Sequence, residues 1–174
     1  MQQFAMPGSL RLLYEPLYSD HAAGLFEALE DPRVYEHIND IPSPGVAQLA
    51  ARFARMSSGP PPDRTDECWL NYALRLKANG TLIGRLQATI RERRAEVAYL
   101  LGPEYWGQGY ATEAMSAFQV DLRENAQVTE FWATTAPQNF RSVHLLERLG
   151  YVQIGDSWPA LLSYESGDLV FVLR

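Results

Sequence analysis

Two glycines set between an apolar strand pattern and an amphipathic helix pattern constrain this chain more than any other feature. The run Tyr105-Trp106-Gly107-Gln108-Gly109-Tyr110-Ala111-Thr112-Glu113-Ala114 follows Ala95 to Leu101, which reads as a buried strand. It precedes Ala114, Met115, Phe118 and Leu122, which recur at helical spacing after a Thr/Glu opening. The glycines therefore sit where a helix begins. There the backbone can approach a ligand closely, and the unpaired N–H groups and positive dipole end of the helix can hold an anion. A plain strand-to-helix turn would also satisfy two glycines. The common nucleotide signatures do not fit: a P-loop needs Lys-Ser/Thr where this chain has Tyr110-Ala111, and the third glycine of a dinucleotide fingerprint is Ala114 at best.

A second segment runs from Ala136 to Tyr151 and contains Asn139-Phe140-Arg141-Ser142 and then Leu149-Gly150-Tyr151. Read with the glycine turn, it resembles the GNAT superfamily of acyl-CoA-dependent N-acetyltransferases, in which an Asn-x-x-Ser/Ala helix ending in Leu-Gly-Phe/Tyr follows the turn by about thirty residues. The wording is most similar to the RimJ/RimL-like branch of ribosomal-protein N-terminal acetyltransferases, through Trp106 to Ala114, the opening Leu10-Arg11-Leu12-Leu13 and the phrase Asp31-Pro32-Arg33-Val34. The resemblance runs from about Leu10 to the C-terminus. It implies acetyl-CoA as acyl donor, with the backbone of Trp106, Gly107, Gln108, Gly109, Tyr110, Ala111 and Thr112 around the pyrophosphate. It also implies an α/β (α+β) GNAT-like fold: a mixed, mostly antiparallel twisted sheet with a central β-α-β acyl-CoA-binding unit flanked by helices. The strands before the two motifs are expected to splay, with the acyl arm entering on one side and the amine on the other.

Composition adds limits. At 174 residues and 47% hydrophobic content the chain can bury one sizeable core, and no linker divides it, so one domain over residues 1–174 is expected. The lone Cys68 has no internal disulfide partner, no apolar run approaches a membrane span, and the N-terminus lacks a signal pattern. A cytoplasmic enzyme is the expectation. A net charge of −6 argues against a nucleic-acid partner and repels CoA at long range, which leaves binding to local amides and arginines such as Arg141 and Arg148. No His/Cys/Asp cluster has metal spacing, so no metal is expected.

Periodicity predicts a first strand over 10–14 and a helix over 20–30 with Asp20 as N-cap, then a helix over 43–56. A hairpin follows, 69–76 and 82–90 joined at Asn79-Gly80, and Arg91 to Arg94 is read as a polar connection. The pattern then gives a strand to Leu101, a helix over 112–125, a strand over 130–134, a helix over 139–149, and strands over 151–154 and 169–173.

Amide formation from a thioester needs an unprotonated amine, stabilisation of the developing oxyanion and a protonated or hydrogen-bonded thiolate. Glu96, on the strand leading to the turn, is the candidate base, acting directly or through water; a plain strand glutamate is the alternative. Backbone N–H groups near Leu100 and Leu101 are the oxyanion donors that the resemblance implies. Many superfamily members carry a tyrosine acid where this chain has Leu146, so Ser142 is the candidate for the sulfur; its alternative is a bond within its own helix. Asn139 is expected to bond the pantetheine amide or cap the helix. His144 falls on another helical face than Ser142. Trp69, Tyr72 and Trp158 are candidates for the wall of the acceptor groove. A peptide α-amine, with a pKa of about 7.7–8.0, needs less of a base than lysine at about 10.4. Three functions stay open: a protein N-terminal acetyltransferase, a small-molecule N-acetyltransferase acting on a polyamine, amino acid or aminoglycoside-like drug, and a non-catalytic acyl-CoA-binding protein. Each is compatible with a monomer or a homodimer.

Overall fold

The computed structural model describes residues 6–174. Its strands are β1 (Leu12–Pro16), β2 (Glu67–Leu76), β3 (Leu82–Arg91), β4 (Arg94–Leu101), β5 (Glu130–Thr135), β6 (Val152–Ile154) and β7 (Leu169–Leu173). The helices are α1 (Ala22–Leu29), α2 (Val46–Ser57), α3 (Tyr110–Ala126) and α4 (Phe140–Arg148). The strands form one sheet in the order β1-β2-β3-β4-β5-β7-β6, antiparallel at every step except β4 to β5. This is the mixed, mostly antiparallel architecture with a central β-α-β unit that the sequence implies.

Alternation along the strands sorts side chains to two faces. Leu70, Tyr72 and Leu74 of β2 and Leu86, Ala88 and Ile90 of β3 pack against Met115, Phe118 and Leu122 of α3. On the opposite face, Ala73 and Leu82 join Leu25 and Leu29 of α1 and Leu49 and Phe53 of α2. Burying each of these large side chains contributes roughly 1.5–3 kcal/mol. The two layers hold the sheet at its middle, where the site lies.

That middle is open. β4 and β5 pair only at Arg94↔Glu130, Ala95↔Phe131 and Glu96↔Trp132. Beyond Glu96, β4 stays paired with β3 as far as Leu101, while β5 stays paired with β7 as far as Thr135. Each strand keeps its outer neighbour and loses its inner one, so a cleft passes through the sheet.

Two local expectations shift. β1 starts at Leu12, and Leu10 is exposed. Asp20 does not cap α1: one 3-10 turn, Ser19–His21, precedes it, and the His21 ring Nδ1 accepts the Tyr18 N–H at 3.1 Å. The polar connection at 91–94 is a tight hairpin turn, in which Arg91 pairs with Arg94 and Glu92 takes φ 55.

Candidate active site at the opened strand pair

On the α3 side, the cleft begins at the glycine turn. Gly107 and Gly109 have φ 72 and 79, left-handed values that cost an L-residue about 1–2 kcal/mol. A Cβ on Gly107 would meet nothing within 4 Å, so the space beside it is free for a ligand. The first helical bond of α3 runs from Glu113 N–H to the Gly109 carbonyl at 3.0 Å, which leaves the amides of Tyr110, Ala111 and Thr112 ahead of it. These amides at the positive end of a 17-residue helix fit a pyrophosphate. Arg141 stacks over Trp106, with its Cζ 4.5 Å from the ring centroid, and Trp106 Nε1 donates to the Leu101 carbonyl at 2.8 Å. One arginine is thus held beside the cradle.

The turn is braced from the far end of the sequence. Glu113 accepts from Ser9 Oγ at 2.6 Å, from Arg11 N–H at 2.6 Å and from Arg11 Nε at 2.5 Å. Arg11 also donates to the Gln108 carbonyl at 3.1 Å and lies over the Tyr110 ring at 4.2 Å. The opening Arg-Leu phrase and the Thr-Glu-Ala phrase, separate in sequence, are one interaction here.

Inside the cleft, the ladder decides which amides are available. Gly102 N–H donates to the Ile83 carbonyl, so the alternation of an antiparallel pair turns the N–H of Leu100 toward β3 and those of Tyr99 and Leu101 toward the opening. Of the two expected backbone donors, Leu101 faces the cleft and Leu100 is committed to β3. Sequence reasoning missed Tyr99. Its hydroxyl lies 3.0 Å from Ser142 Oγ, bridging β4 and α4. Burial pushes the Tyr99 phenol up and the Ser142 bond opposes this, so the hydroxyl stays neutral and able to donate at ordinary pH. Ser142 N–H donates to Asn139 Oδ1 at 3.2 Å, which makes Asn139 the cap of α4. Leu146 is buried in the core and His144 is exposed.

Glu96 points to the other face. Its Oε1 accepts from Ser163 N–H at 2.6 Å and Ser163 Oγ at 2.5 Å, and its Oε2 accepts from Leu162 N–H at 2.8 Å. With about four lone-pair sites on a carboxylate, one on Oε2 remains. Glu96 therefore pins the 155–168 segment to the sheet, helped by Thr134 Oγ1, 2.8 Å from Ser163 Oγ. That segment carries Trp158 and Tyr164, whose rings lie 5.3 Å apart. The side of the cleft away from the glycine turn, where the acceptor is expected, is walled by Tyr164, Trp69, Asn71, Arg52 and Arg85. Tyr72, expected there, is fully buried on the opposite face against Phe118. The whole cleft encloses about 1200 Å³ and joins the glycine turn to the acceptor side.

The sequence profile of the acetyltransferase (GNAT) domain matches residues 11–152. The chain is 25% identical over 149 residues to the uncharacterized N-acetyltransferase p20 of Bacillus licheniformis, covering 83% of this chain and 81% of that one. Among solved structures, RimL, a ribosomal L7/L12 α-N-protein acetyltransferase in complex with coenzyme A, superposes with a TM-score of 0.77 at 12% identity, over 98% of this chain and 97% of that one. A GNAT-family acetyltransferase from Bacillus anthracis superposes with a TM-score of 0.74 at 17% identity, over 94% and 93%. The matched domain defines the protein as an acyltransferase. The chain belongs to the GNAT acetyltransferase family.

Proposed function

We propose that this protein transfers the acetyl group of acetyl-CoA to the α-amine of a polypeptide N-terminus, by direct attack in a ternary complex within a single domain. The observation that carries this reading is the passage through the sheet, which joins an amide cradle on one face to a separate polar chamber on the other. The RimL structure, whose protein acts on an N-terminal amine, supports the choice of acceptor.

The thioester supplies an activated acyl carbon. The amides of residues 107–112 and Arg141 hold the anionic end of the donor, and the N–H groups of Tyr99 and Leu101 receive the charge that develops on the carbonyl oxygen. The amine forms the new C–N bond, the C–S bond breaks, and the departing sulfur takes a hydrogen bond from Ser142, which is itself held by Tyr99. This pair fills the role that Leu146 cannot, which argues against a purely binding protein. An α-amine with a pKa of about 7.7–8.0 is partly neutral at pH 7.5, so modest base assistance suffices. Glu96 gives it through a water on the remaining site of Oε2 while anchoring residues 162–163.

The test is acetyl transfer read by mass spectrometry on a panel of N-terminal peptides, polyamines, free amino acids and aminoglycosides. Acetylated peptide α-amines are the expected result. Exclusive labelling of polyamines, free amino acids or aminoglycosides overturns the acceptor, and binding of CoA with no transfer to any amine overturns catalysis.

A further inference from the structure

Arg85 lies near the middle of β3 and is only 8% exposed, yet it borders the acceptor side of the cleft. The inward-facing residues of this strand, Leu86, Ala88 and Ile90, go to the α3 core, which puts Arg85, Gln87 and Thr89 in a polar stripe on the opposite face. Among the described residues, the one hydrogen bond of the Arg85 side chain is donated by Nη1 to Gln87 Oε1, a neutral acceptor. Among the described residues no carboxylate forms an ion pair with it. The acid that acts on it electrostatically, Asp40, already gives Oδ1 to Arg52 Nη1 at 3.0 Å and Oδ2 to Arg52 Nη2. Burial first, and the neighbouring Arg52 second, pull Arg85 down to about 10, so it still carries its charge at neutral pH.

A buried charge without an ion-pair partner is unfavourable, and an apolar side chain at this position, across from Leu100, would avoid that cost. The arginine therefore makes sense when something anionic enters the cleft. The donor's phosphates have their cradle at the other end, on the α3 side. Arg85 pairs with Leu100, so it stands one strand, about 4.8 Å, from the strand that lines the opening. Its charge is then within reach of the reacting amine's own residue or of the next one, about 3.8 Å further along a peptide.

We propose that Arg85 is the anion anchor of the acceptor site and that the acceptor is a primary amine bearing a carboxylate on the same residue or the next. This rests on the acetyltransferase reading above: a peptide's carboxylate narrows its N-terminal acceptor, and a free amino acid's carboxylate would replace that acceptor while keeping the transfer. The carboxylate has two possible sources: an acidic side chain at the first or second residue of a peptide, or the α-carboxylate of a free amino acid. A wholly cationic acceptor such as a polyamine brings no partner for Arg85.

The experiment compares matched acceptors with the wild-type protein: peptides beginning Ser-Asp against Ser-Asn, Asp-Ala against Asn-Ala, and free amino acids against their amides. At least a tenfold lower KM is expected for the carboxylate member of one pair, and the pair that shows it identifies the source. Arg85→Met is expected to bring that ratio to about one while CoA affinity by calorimetry stays within twofold; Arg85→Lys should restore part of it. The wild-type comparison stands even if Arg85→Met folds poorly. Equal KM values across every pair, or faster transfer to polyamines, overturn the anchor while leaving acetyl transfer intact. No transfer to any acceptor overturns the function and the anchor together.

Discussion

Replacing Glu113 with alanine tests whether the N-terminal strand sets the cofactor turn. The carboxylate accepts three bonds of 2.5–2.6 Å from Ser9 and Arg11. A hydrogen bond to a charged group contributes about 1.5–3 kcal/mol. The Arg11 side chain is 41% exposed, so its share is discounted to about 0–1 kcal/mol, and the Ser9 hydroxyl can turn to water. The Arg11 backbone N–H loses its partner at a cost of about 1–3 kcal/mol. The total comes to about 1–4 kcal/mol, which for a chain of this size lowers Tm by roughly 2–16 °C. Burial tends to raise the Glu113 pKa, but the bonds from Ser9 and Arg11 outweigh it and hold the group below its ordinary value. A depressed carboxyl contributes stability that is fully present above its unfolded pKa of about 4.3 and is lost as the pH falls through the folded value. Thermal melts of Glu113→Ala and wild type should therefore differ most near pH 7 and converge in acid below about pH 4. CoA affinity at pH 7 should fall as well, because Arg11 also holds the Gln108 carbonyl. A Tm difference under 2 °C, or one that stays constant down to pH 3, refutes the reasoning.

Gly107→Val is expected to raise the KM for acetyl-CoA at least tenfold and leave the peptide KM within twofold, since a side chain at φ 72 would enter the space beside the cradle; steady-state kinetics with each substrate varied decides this. Ser142→Ala should lower kcat about 100-fold and Tyr99→Phe about tenfold, with the double variant no worse than Ser142→Ala, because the two hydroxyls act as one unit. Additive losses would show that Tyr99 acts independently. Glu96→Gln should lose turnover below pH 7 and recover it above about pH 8.5, where an α-amine needs no base. A loss of equal size at every pH leaves Glu96 as the anchor of residues 162–163 and nothing more.

The residues that read clearly in the sequence are those whose role is local. Gly107 and Gly109 announce the turn because only the backbone at a helix start requires them, and Asn139 announces the start of α4 because its side chain caps its own helix. What the sequence hides depends on partners far along the chain. Glu113 looks like an ordinary first-turn acid until Arg11 meets it across 102 residues. Tyr99 reads as one more strand aromatic, and its value appears only where β4 leaves β5 and faces Ser142. Arg85 alternates with Leu86 and Ala88 as a solvent-facing residue would; the helices and loops that cover that face bury it. Glu96 was legible as a carboxylate beside the cleft, whereas the three donors that occupy it come from residues 162–163, which carry no motif.

The central claim is that the cleft between β4 and β5 carries the donor from the glycine turn to the acceptor chamber. A crystal structure with CoA and an N-terminal peptide tests it most directly. The account predicts phosphate oxygens on the amides of residues 107–112, the sulfur within hydrogen-bonding reach of Ser142 Oγ, and the peptide amine on the Trp69 and Arg85 side of the sheet. CoA bound elsewhere, or both ligands on one face of the sheet, would contradict it.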